Sequence, residues 1–494
     1  MGQDKVRVRF APSPTGNLHI GTLRTALFNW LYARHFQGVF VLRLEDTDLK
    51  RSQEDYEKNI YDGLNWLGLV PDEGPLVGGE FGPYRQSERI QQGCYMAKAK
   101  VLLEQGLAYY CFDTEAELDQ ERDAAKEKGV PYVYSRRALD LSNAEVQAKL
   151  DQGEAYTIRF KTPDSGALSF RDLVRGEISF DLALLSDFVI MKSDGSPSYN
   201  FAVVVDDVDM DITHVIRGED HVSNMPKQLL LYKVLGGQVP EFGHLPMILG
   251  PDRAKLSKRH GATAVLAYRD EGIVSDALFN FLSLLGWRPN SEEEILSRAE
   301  LEAQFALERV SKSNAIFDQQ KLKWMNGQYI RRFSPEQLYE ALFPFMSDQH
   351  QANMQARPDH QRRLIMTAIQ DNVAYLSEVD QYLSVFCLSE EAVDVKVQAL
   401  SFSEQDQQVL LQFYGLVQEM SASADEADFL ACLETLVTRL ELGKGKIFKP
   451  IRLAVTGDGK GPNIAQLLAV LGPSCLKRRL ARLSFLDSVP HLAS

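Results

Sequence analysis

One histidine and one short lysine-rich segment carry the residue types that nucleotide chemistry requires. His19 lies in the run PSPTGNLHIG at 12–21, directly after an alternating, strand-like segment, and the segment KLSKR at 255–259 brings Lys255 and Lys258. An imidazole at a helix N-terminus can bind a phosphoryl oxygen, and two ammonium groups can neutralise a departing pyrophosphate. Each feature alone also fits a helix-capping histidine or a solvated basic loop. Together they predict a site for a nucleoside triphosphate that is attacked at its α-phosphate.

The elements that must position these residues begin with a β-α-β unit. Residues 5–10 alternate apolar and charged side chains as a strand does, 22–36 have helical spacing, and 39–44 have the pattern of the next strand. Such a unit builds a parallel sheet, and ligands of these sheets lie outside the carboxyl ends of the strands. Arg9 and Glu45 both fall at that edge.

After this unit we expect an insertion, then further strands of the same sheet, and finally a helical region. A mixed stretch at about 109–190 has the pattern of an insertion. We expect the sheet to resume with a buried strand at 200–205 and another at 212–216, followed by a helix at 223–235. Beyond about 265 the apolar residues recur at helical spacing and strand signals are sparse.

Composition sets the broad class of the protein. The 494 residues suggest several domains, and 45% hydrophobic with 25% charged residues is ordinary for globular proteins. The absence of a long apolar run, a polar N-terminal segment and five scattered cysteines predict a reduced, cytoplasmic protein. The net charge of −14 does not exclude a nucleic acid, because phosphate binding depends on local patches such as the basic stretch at 443–460.

A resemblance to a known family runs almost from end to end of the chain. The matching segments are FAPSPTG at 10–16, HIG at 19–21, RLEDTD at 43–48, YNF at 199–201, VIRGED at 215–220, KLSKR at 255–259, WMNG at 324–327 and PIRLAVTG at 450–457. Together they resemble the bacterial-type glutamyl-tRNA synthetases, which are class I aminoacyl-tRNA synthetases. The resemblance implies that glutamate attacks the α-phosphate of ATP to give glutamyl-adenylate, and that the 2′-hydroxyl of the terminal tRNA adenosine then takes the glutamyl group. It also implies that tRNA binds before the first step.

The resemblance implies roles for three groups of residues. ATP binding is expected of His19, Gly21, Asp220, Lys255, Leu256, Ser257, Lys258 and Arg259, with His19, Lys255 and Lys258 as the catalytic members. The glutamate pocket is expected to comprise Arg9, Ala11, Pro12, Ser13, Glu45, Tyr199 and Arg217. Arginine forks suit a carboxylate ligand, and Glu45 would take the substrate ammonium. The candidates for tRNA binding are Arg331, Arg332, Lys444, Lys446 and Lys449.

The implied architecture is α/β: a Rossmann-like parallel-sheet catalytic domain with an inserted α+β domain, followed by an all-helical C-terminal anticodon-binding region. The expected boundaries are 1–87 and 193–250 for the two halves of the catalytic domain, 88–192 for the inserted acceptor-binding domain, 251–322 for a stem-contact domain with the lysine loop, and 323–380 and 381–494 for two helical anticodon-binding domains.

Metal requirements are expected to be modest. Acidic clusters at 45–48 and 206–209 could bind Mg²⁺, but Mg²⁺ that arrives with ATP is the favoured interpretation. Some relatives carry a Cys-x-Cys pair with further zinc ligands in the insertion, where this chain has YYCFD at 109–113, with one cysteine, Cys111, and no nearby Cys or His. Because structural zinc takes four ligands, we expect no structural zinc.

Three alternative functions remain. A glutaminyl-tRNA synthetase shares the active-site scaffold but reads the anticodon with β-barrels, against the helical pattern after 320. A truncated relative that glutamylates a modified base lacks an anticodon-binding part, and a non-catalytic tRNA-binding paralogue would not need the intact lysines and glutamate pocket. Charging of tRNA-Gln besides tRNA-Glu stays open, and the family suggests a monomer.

Overall fold

Two units divide the chain. The computed structural model describes residues 5–47, 53–130, 132–257 and 264–485. The first unit is Met1–Ala267 with Leu278–Asp318, and the second is Tyr268–Ala277 with Gln319–Ser494. Lys258 and Arg259, which are predicted to bind ATP, lie outside the described residues.

The strands belong to the first unit and make three sheets. They are β1 Arg7–Phe10, β2 Val39–Leu42, β3 Ala108–Cys111, β4 Thr157–Phe160, β5 Ala167–Asp172, β6 Gly176–Asp181, β7 Phe188–Met191, β8 His214–Gly218, β9 Glu241–Leu245, β10 Ile248–Leu249 and β11 Ala315–Ile316. The six-stranded sheet has the order β2-β1-β8-β9-β5-β6, and every pairing in it is parallel except β5 with β6. The parallel sheet predicted from the β-α-β unit is therefore confirmed. A three-stranded antiparallel sheet, β3-β4-β7, lies within the predicted insertion, and β10 and β11 form a parallel pair.

Helices cover the sheet and connect its strands. Those that begin before residue 319 are α1 Ile20–His35, α2 Glu54–Leu67, α3 Gln86–Gln91, α4 Cys94–Glu104, α5 Glu115–Glu127, α6 Asn143–Asp151, α7 Tyr199–Asp209, α8 Met225–Leu235, α9 Val265–Asp270, α10 Ser275–Leu284 and α11 Arg298–Gln304. The predicted helix at 22–36 corresponds to α1. Its Leu23, Leu27 and Leu31, one helical turn apart, are fully buried.

The strand predicted at 200–205 is wrong, because these residues lie inside the helix α7. Phe201 to Val205 are at most 2% exposed, so this part of the helix is apolar on all faces. A uniformly apolar run has no period that separates helix from strand, and its valines favour a strand interpretation. Tertiary packing decides the outcome here: α7 contributes to a core shared with α4 and α8.

The second unit is helical throughout its described residues, as predicted for the C-terminal region. Its helices are α12 Gln319–Ile330, α13 Pro335–Leu342, α14 Asp348–Gln355, α15 Asp359–Gln370, α16 Val379–Cys387, α17 Glu390–Gln398, α18 Glu404–Glu419, α19 Glu426–Leu440, α20 Lys444–Thr456 and α21 Ile464–Leu480. They enclose an apolar core with fully buried Leu383, Phe413 and Leu433. Within the described residues, no helix has the length and apolar character that crossing a membrane requires.

Candidate functional site

A cleft of about 540 Å³ opens where β1 and β8 end, the edge of the sheet at which the sequence places the site. Twelve predicted residues line it: Arg9, Ala11, Pro12, Ser13, His19, Gly21, Glu45, Tyr199, Arg217, Asp220, Lys255 and Leu256. Residues from segments more than 200 positions apart therefore meet in one place. Ser257 is described but does not line the cleft.

The nucleotide end of the cleft is built on the start of α1. His19 is the N-cap of this helix, and its Nδ1 accepts a hydrogen bond of 3.1 Å from the backbone N–H of Gly21. Burial and the nearby ammonium of Lys255 lower the pKa of His19. A neutral ring that accepts at Nδ1 carries its proton on Nε2, so His19 can donate a hydrogen bond to a phosphoryl oxygen.

The acidic wall of the cleft rests on the strand β2. The backbone N–H of Glu45 donates to the carbonyl of Pro12 at 3.0 Å, which holds the segment after β2 against the segment after β1. The Glu45 side chain is 8% exposed and lies 3.5 Å from the guanidinium of Arg43. Burial outweighs the attraction of Arg43 and Arg9 and raises the pKa of Glu45 to about 7. A ligand ammonium would therefore meet a carboxyl group that is ready to ionise near neutral pH.

Asp207 of α7 anchors two arginines beneath the cleft. Its carboxylate lies 3.3 Å from Nε of Arg9 and 2.6 Å from Nη1 of Arg43, and the hydroxyl of Tyr232 donates to it at 2.8 Å. Burial alone would raise the pKa of Asp207, but the two guanidinium groups outweigh burial and hold the pKa below its ordinary value. Arg9 thus enters the cleft with its charge partly balanced.

Arg217, at the end of β8, is held by neutral side chains, whereas Arg9 is held by a carboxylate. Its Nε donates to Nε2 of His244 at 3.2 Å, and its Nη2 donates to Oε1 of Gln228 at 2.7 Å and contacts the sulfur of Met225 at 3.0 Å. No carboxylate of the described residues lies within ion-pair distance of this guanidinium, which is 6% exposed. Burial lowers the pKa of Arg217. A buried cation that has only neutral acceptors is suited to an anionic ligand.

Several cleft residues escape the sequence prediction. They are Phe10, Thr22, Arg24, Thr25, Ile216, Gly218, His221, Met247 and Ile248. The sequence could have indicated Arg24, since this charged residue interrupts the apolar face of α1. Its side chain is 3% exposed, and its Nη2 donates to the carbonyl of Pro246. His221 follows the motif residue Asp220 directly, and its Nδ1 lies 3.0 Å from the hydroxyl of Tyr199. Burial and the Arg217 charge lower the pKa of His221 to about 4.

The predicted tRNA-binding residues lie in the second unit and are exposed. Arg331 and Arg332 follow α12, and Lys444, Lys446 and Lys449 are carried by α20. None of the five lines the cleft. Their exposure suits contact with phosphates.

Metal ligands are not clustered in the part of the chain that the structure describes: no group of three His, Cys, Asp or Glu side chains there could hold an ion. Cys111 lies between Nε of Arg159 at 3.3 Å and the hydroxyl of Tyr134 at 3.5 Å.

Two family comparisons cover most of the chain. Residues 5–324 match the family of tRNA synthetases class I (E and Q), catalytic domain, and residues 337–484 match an anticodon binding domain. Both matches agree with the division into an α/β part followed by helices.

Relatives and solved structures agree with these matches along nearly the whole length. The chain is 45% identical over 480 residues to a glutamate–tRNA ligase of Carboxydothermus hydrogenoformans, covering 97% of this chain and 99% of that one. It is 46% identical to a glutamate–tRNA ligase of a Sulfurihydrogenibium species, covering 96% of this chain and 98% of that one. A crystal structure of a glutamate tRNA ligase from Elizabethkingia meningosepticum, in complex with its amino acid, superposes with a TM-score of 0.85 at 34% identity and covers 99% of this chain and 100% of that one.

Proposed function

The chain belongs to the glutamate–tRNA ligases, a family of class I aminoacyl-tRNA synthetases, and we propose that the cleft at the ends of β1 and β8 is where it joins glutamate to tRNA. In the first step a carboxylate oxygen of glutamate attacks the α-phosphorus of ATP, and the bond to pyrophosphate breaks. In the second step a ribose hydroxyl of the terminal tRNA adenosine attacks the carbonyl of the adenylate, and AMP leaves. The observation that carries this proposal is Arg217, a buried guanidinium without a carboxylate partner among the described residues, in the same cleft as His19.

Glutamate has two carboxylates and one ammonium, and the cleft offers complementary groups. We assign its binding to Arg9, Ala11, Pro12, Ser13, Glu45, Tyr199 and Arg217, all of which line the cleft. The guanidinium of Arg217 pairs with a substrate carboxylate, and Glu45 pairs with the ammonium. Glutamine lacks the second carboxylate and would leave the Arg217 charge unbalanced, so the pocket rejects it.

ATP is assigned to the His19 end of the cleft. His19 donates from Nε2 to a phosphoryl oxygen, Gly21 offers the backbone of the first turn of α1, and Asp220 lies beside the nucleotide. Lys255 and Leu256 line the same end, and we assign Lys255, Ser257, Lys258 and Arg259 of the segment 255–259 to stabilisation of the departing pyrophosphate. We infer that Mg²⁺ enters with the phosphates of ATP and that the chain binds no structural zinc.

The remaining assignments concern the whole chain. We propose that 1–87 and 193–250 form the catalytic domain, 88–192 the acceptor-binding insertion, 251–322 the stem-contact domain, and 323–380 and 381–494 the anticodon-binding domains. Arg331, Arg332, Lys444, Lys446 and Lys449 would contact tRNA phosphates. The working form would be a cytoplasmic monomer that charges tRNA-Glu.

Exchange of labelled pyrophosphate into ATP tests the proposed chemistry. We expect exchange with glutamate when tRNA-Glu is present, and none with glutamine. Aminoacylation of purified tRNA-Glu and tRNA-Gln then defines the range of tRNA substrates. Exchange that requires glutamine, or no exchange with either amino acid, contradicts the proposal.

A further inference from the structure

Three buried side chains on the neighbouring strands β5, β9 and β8 are linked by hydrogen bonds that lead to the cleft. Asp172, the last residue of β5, lies 2.6 Å from Nδ1 of His244 on β9, and Nε2 of the same imidazole accepts from Nε of Arg217 at 3.2 Å. Asp172 is 2% exposed, His244 is fully buried, and neither lines the cleft. Parallel pairing of β8 with β9 places Arg217 opposite His244.

The two neighbours of His244 determine where its proton lies. The Nε–H of arginine is only a donor, so Nε2 of His244 must be the unprotonated acceptor. An ionised Asp172 is only an acceptor, so Nδ1 must carry the proton. Burial lowers the pKa of His244, which agrees with a neutral ring. This assignment leaves each of the three groups with a hydrogen bond of the correct polarity.

Asp172 is itself fixed by its own turn. Its Oδ1 accepts from the backbone N–H groups of Val174 at 2.9 Å and Arg175 at 2.8 Å, in the turn between β5 and β6. Burial would raise the pKa of Asp172, but the hydrogen bonds from His244 and from this turn outweigh burial and lower it. The carboxylate is therefore ionised and immobile, as the donor assignment of His244 requires.

We propose that Asp172 and His244 form a positioning pair that locks the guanidinium of Arg217 in the orientation that binds a substrate carboxylate. The pair holds Nε with a neutral acceptor, so the position of the guanidinium is fixed without a second carboxylate that would neutralise it. None of the described residues accepts a hydrogen bond from Nη1 of Arg217, which leaves this nitrogen for the ligand. The inference rests on the proposed assignment of Arg217 to glutamate.

Variants of His244 separate positioning from general stability. His244→Asn removes the acceptor for Arg217, whereas His244→Gln can return an oxygen near the place of Nε2. In aminoacylation of tRNA-Glu, we expect His244→Asn to raise the KM for glutamate about ten- to hundredfold, the size expected from losing a hydrogen bond to a charged group. The KM for ATP should stay within about threefold, and His244→Gln should recover most of the loss. Asp172→Ala should raise the KM for glutamate in the same direction.

His214→Asn on β8 is the matched control. His214 is half-buried on the same sheet and contacts Thr213 instead of the cleft, so its loss should leave both KM values within about threefold. Equal increases of the KM for glutamate and for ATP in His244→Asn, or a His244→Gln variant as impaired as His244→Asn, would overturn the proposal.

A spectroscopic measurement on the unmodified protein tests the tautomer directly. In long-range proton–nitrogen spectra of protein with ¹⁵N-labelled histidine, the signals lost in His244→Gln should show a neutral ring protonated at Nδ1. A ring protonated at Nε2, or at both nitrogens, would overturn the pair. This readout needs no catalysis, so it distinguishes failure of the pair from failure of the proposed function, which would appear as unmodified protein that does not charge tRNA.

Discussion

Two arginines reach the same cleft in different electrostatic states. Arg9 shares the carboxylate of Asp207 with Arg43, whereas Arg217 has a histidine, an amide and a thioether as its partners. A buried, unbalanced cation is costly to the folded protein and becomes favourable when an anion binds. We therefore expect Arg217 to contribute more than Arg9 to the free energy of binding a carboxylate.

Arg217→Met should therefore separate binding from stability. We expect the KM for glutamate to rise more than a hundredfold, because a charge-assisted pair is lost, while the KM for ATP changes by less than about threefold. The free energy of unfolding in urea should stay the same or increase, since an apolar side chain replaces an unbalanced buried charge. Steady-state kinetics and urea titration measure the two effects. A variant destabilised by several kcal/mol with both KM values raised would contradict this role.

If Glu45 binds the substrate ammonium as proposed, glutamate binding depends on pH. Its pKa of about 7 means that roughly one molecule in ten carries the ionised carboxylate at pH 6, and only the ionised form pairs with the substrate ammonium. We expect the KM for glutamate to be about tenfold higher at pH 6 than at pH 8. The pKa values of His19 and His221 are lowered, so they do not produce this change.

Glu45→Gln provides the control for this pH dependence. The variant should bind glutamate weakly, with a KM that no longer changes between pH 6 and pH 8. The raised pKa also has a consequence for stability: the free energy of unfolding contributed by Glu45 is fully present below about pH 4.5 and is lost as the pH rises to about 7. A pH dependence of the KM that persists in Glu45→Gln would assign the titration to another group.

At the scale of elements, the sequence predicts the helices and strands whose apolar residues recur with a regular period. It gives the wrong element where the apolar residues have no period. Apolar and charged residues alternate in β1, Leu23, Leu27 and Leu31 of α1 recur at helical spacing, and the helices of the second unit show apolar residues at the same spacing. The run Phe201 to Val205 of α7 is buried on every side, so it has no apolar period, and the sequence predicts a strand there. His244 gave no signal, because the strand pairing that brings it to Arg217 is a property of the folded sheet.

The helix α7 can be tested through Asp207. Asp207→Asn removes the negative charge that balances Arg9 and the fully buried Arg43, and we expect it to cost about 3–5 kcal/mol of unfolding free energy. Asp209→Asn on the same helix is the control, since this side chain is 26% exposed and its buried partner Arg89 keeps Asp206 as a second carboxylate, so the change should cost at most about 1 kcal/mol. Urea unfolding of both variants gives the comparison. Equal losses of unfolding free energy in the two variants would mean that Asp207 does not balance the buried charges of Arg9 and Arg43.

At the scale of the whole molecule, charge is unevenly distributed. The chain has a net charge of −14, yet the segment 443–460 contains five basic residues and one acidic residue. An anionic surface repels a polyanion over most approaches, so binding of tRNA would depend on the few places where cations collect. Lys444, Lys446 and Lys449 are exposed on α20 and form the densest part of that segment.

The salt dependence of tRNA binding tests this distribution. Each phosphate contact contributes roughly 0.7–0.9 to the slope of log affinity against log salt, so changing the three lysines to alanine should reduce the slope by about 2–3. Changing the same three lysines to arginine is the matched control: it keeps the charges and should keep the slope. Filter binding of tRNA-Glu between about 50 and 200 mM salt measures the slope of each variant. Because the lysines lie in the second unit and not in the cleft, pyrophosphate exchange at saturating tRNA should be unchanged in both variants. An alanine variant with the original slope would place the phosphate contacts elsewhere on the chain.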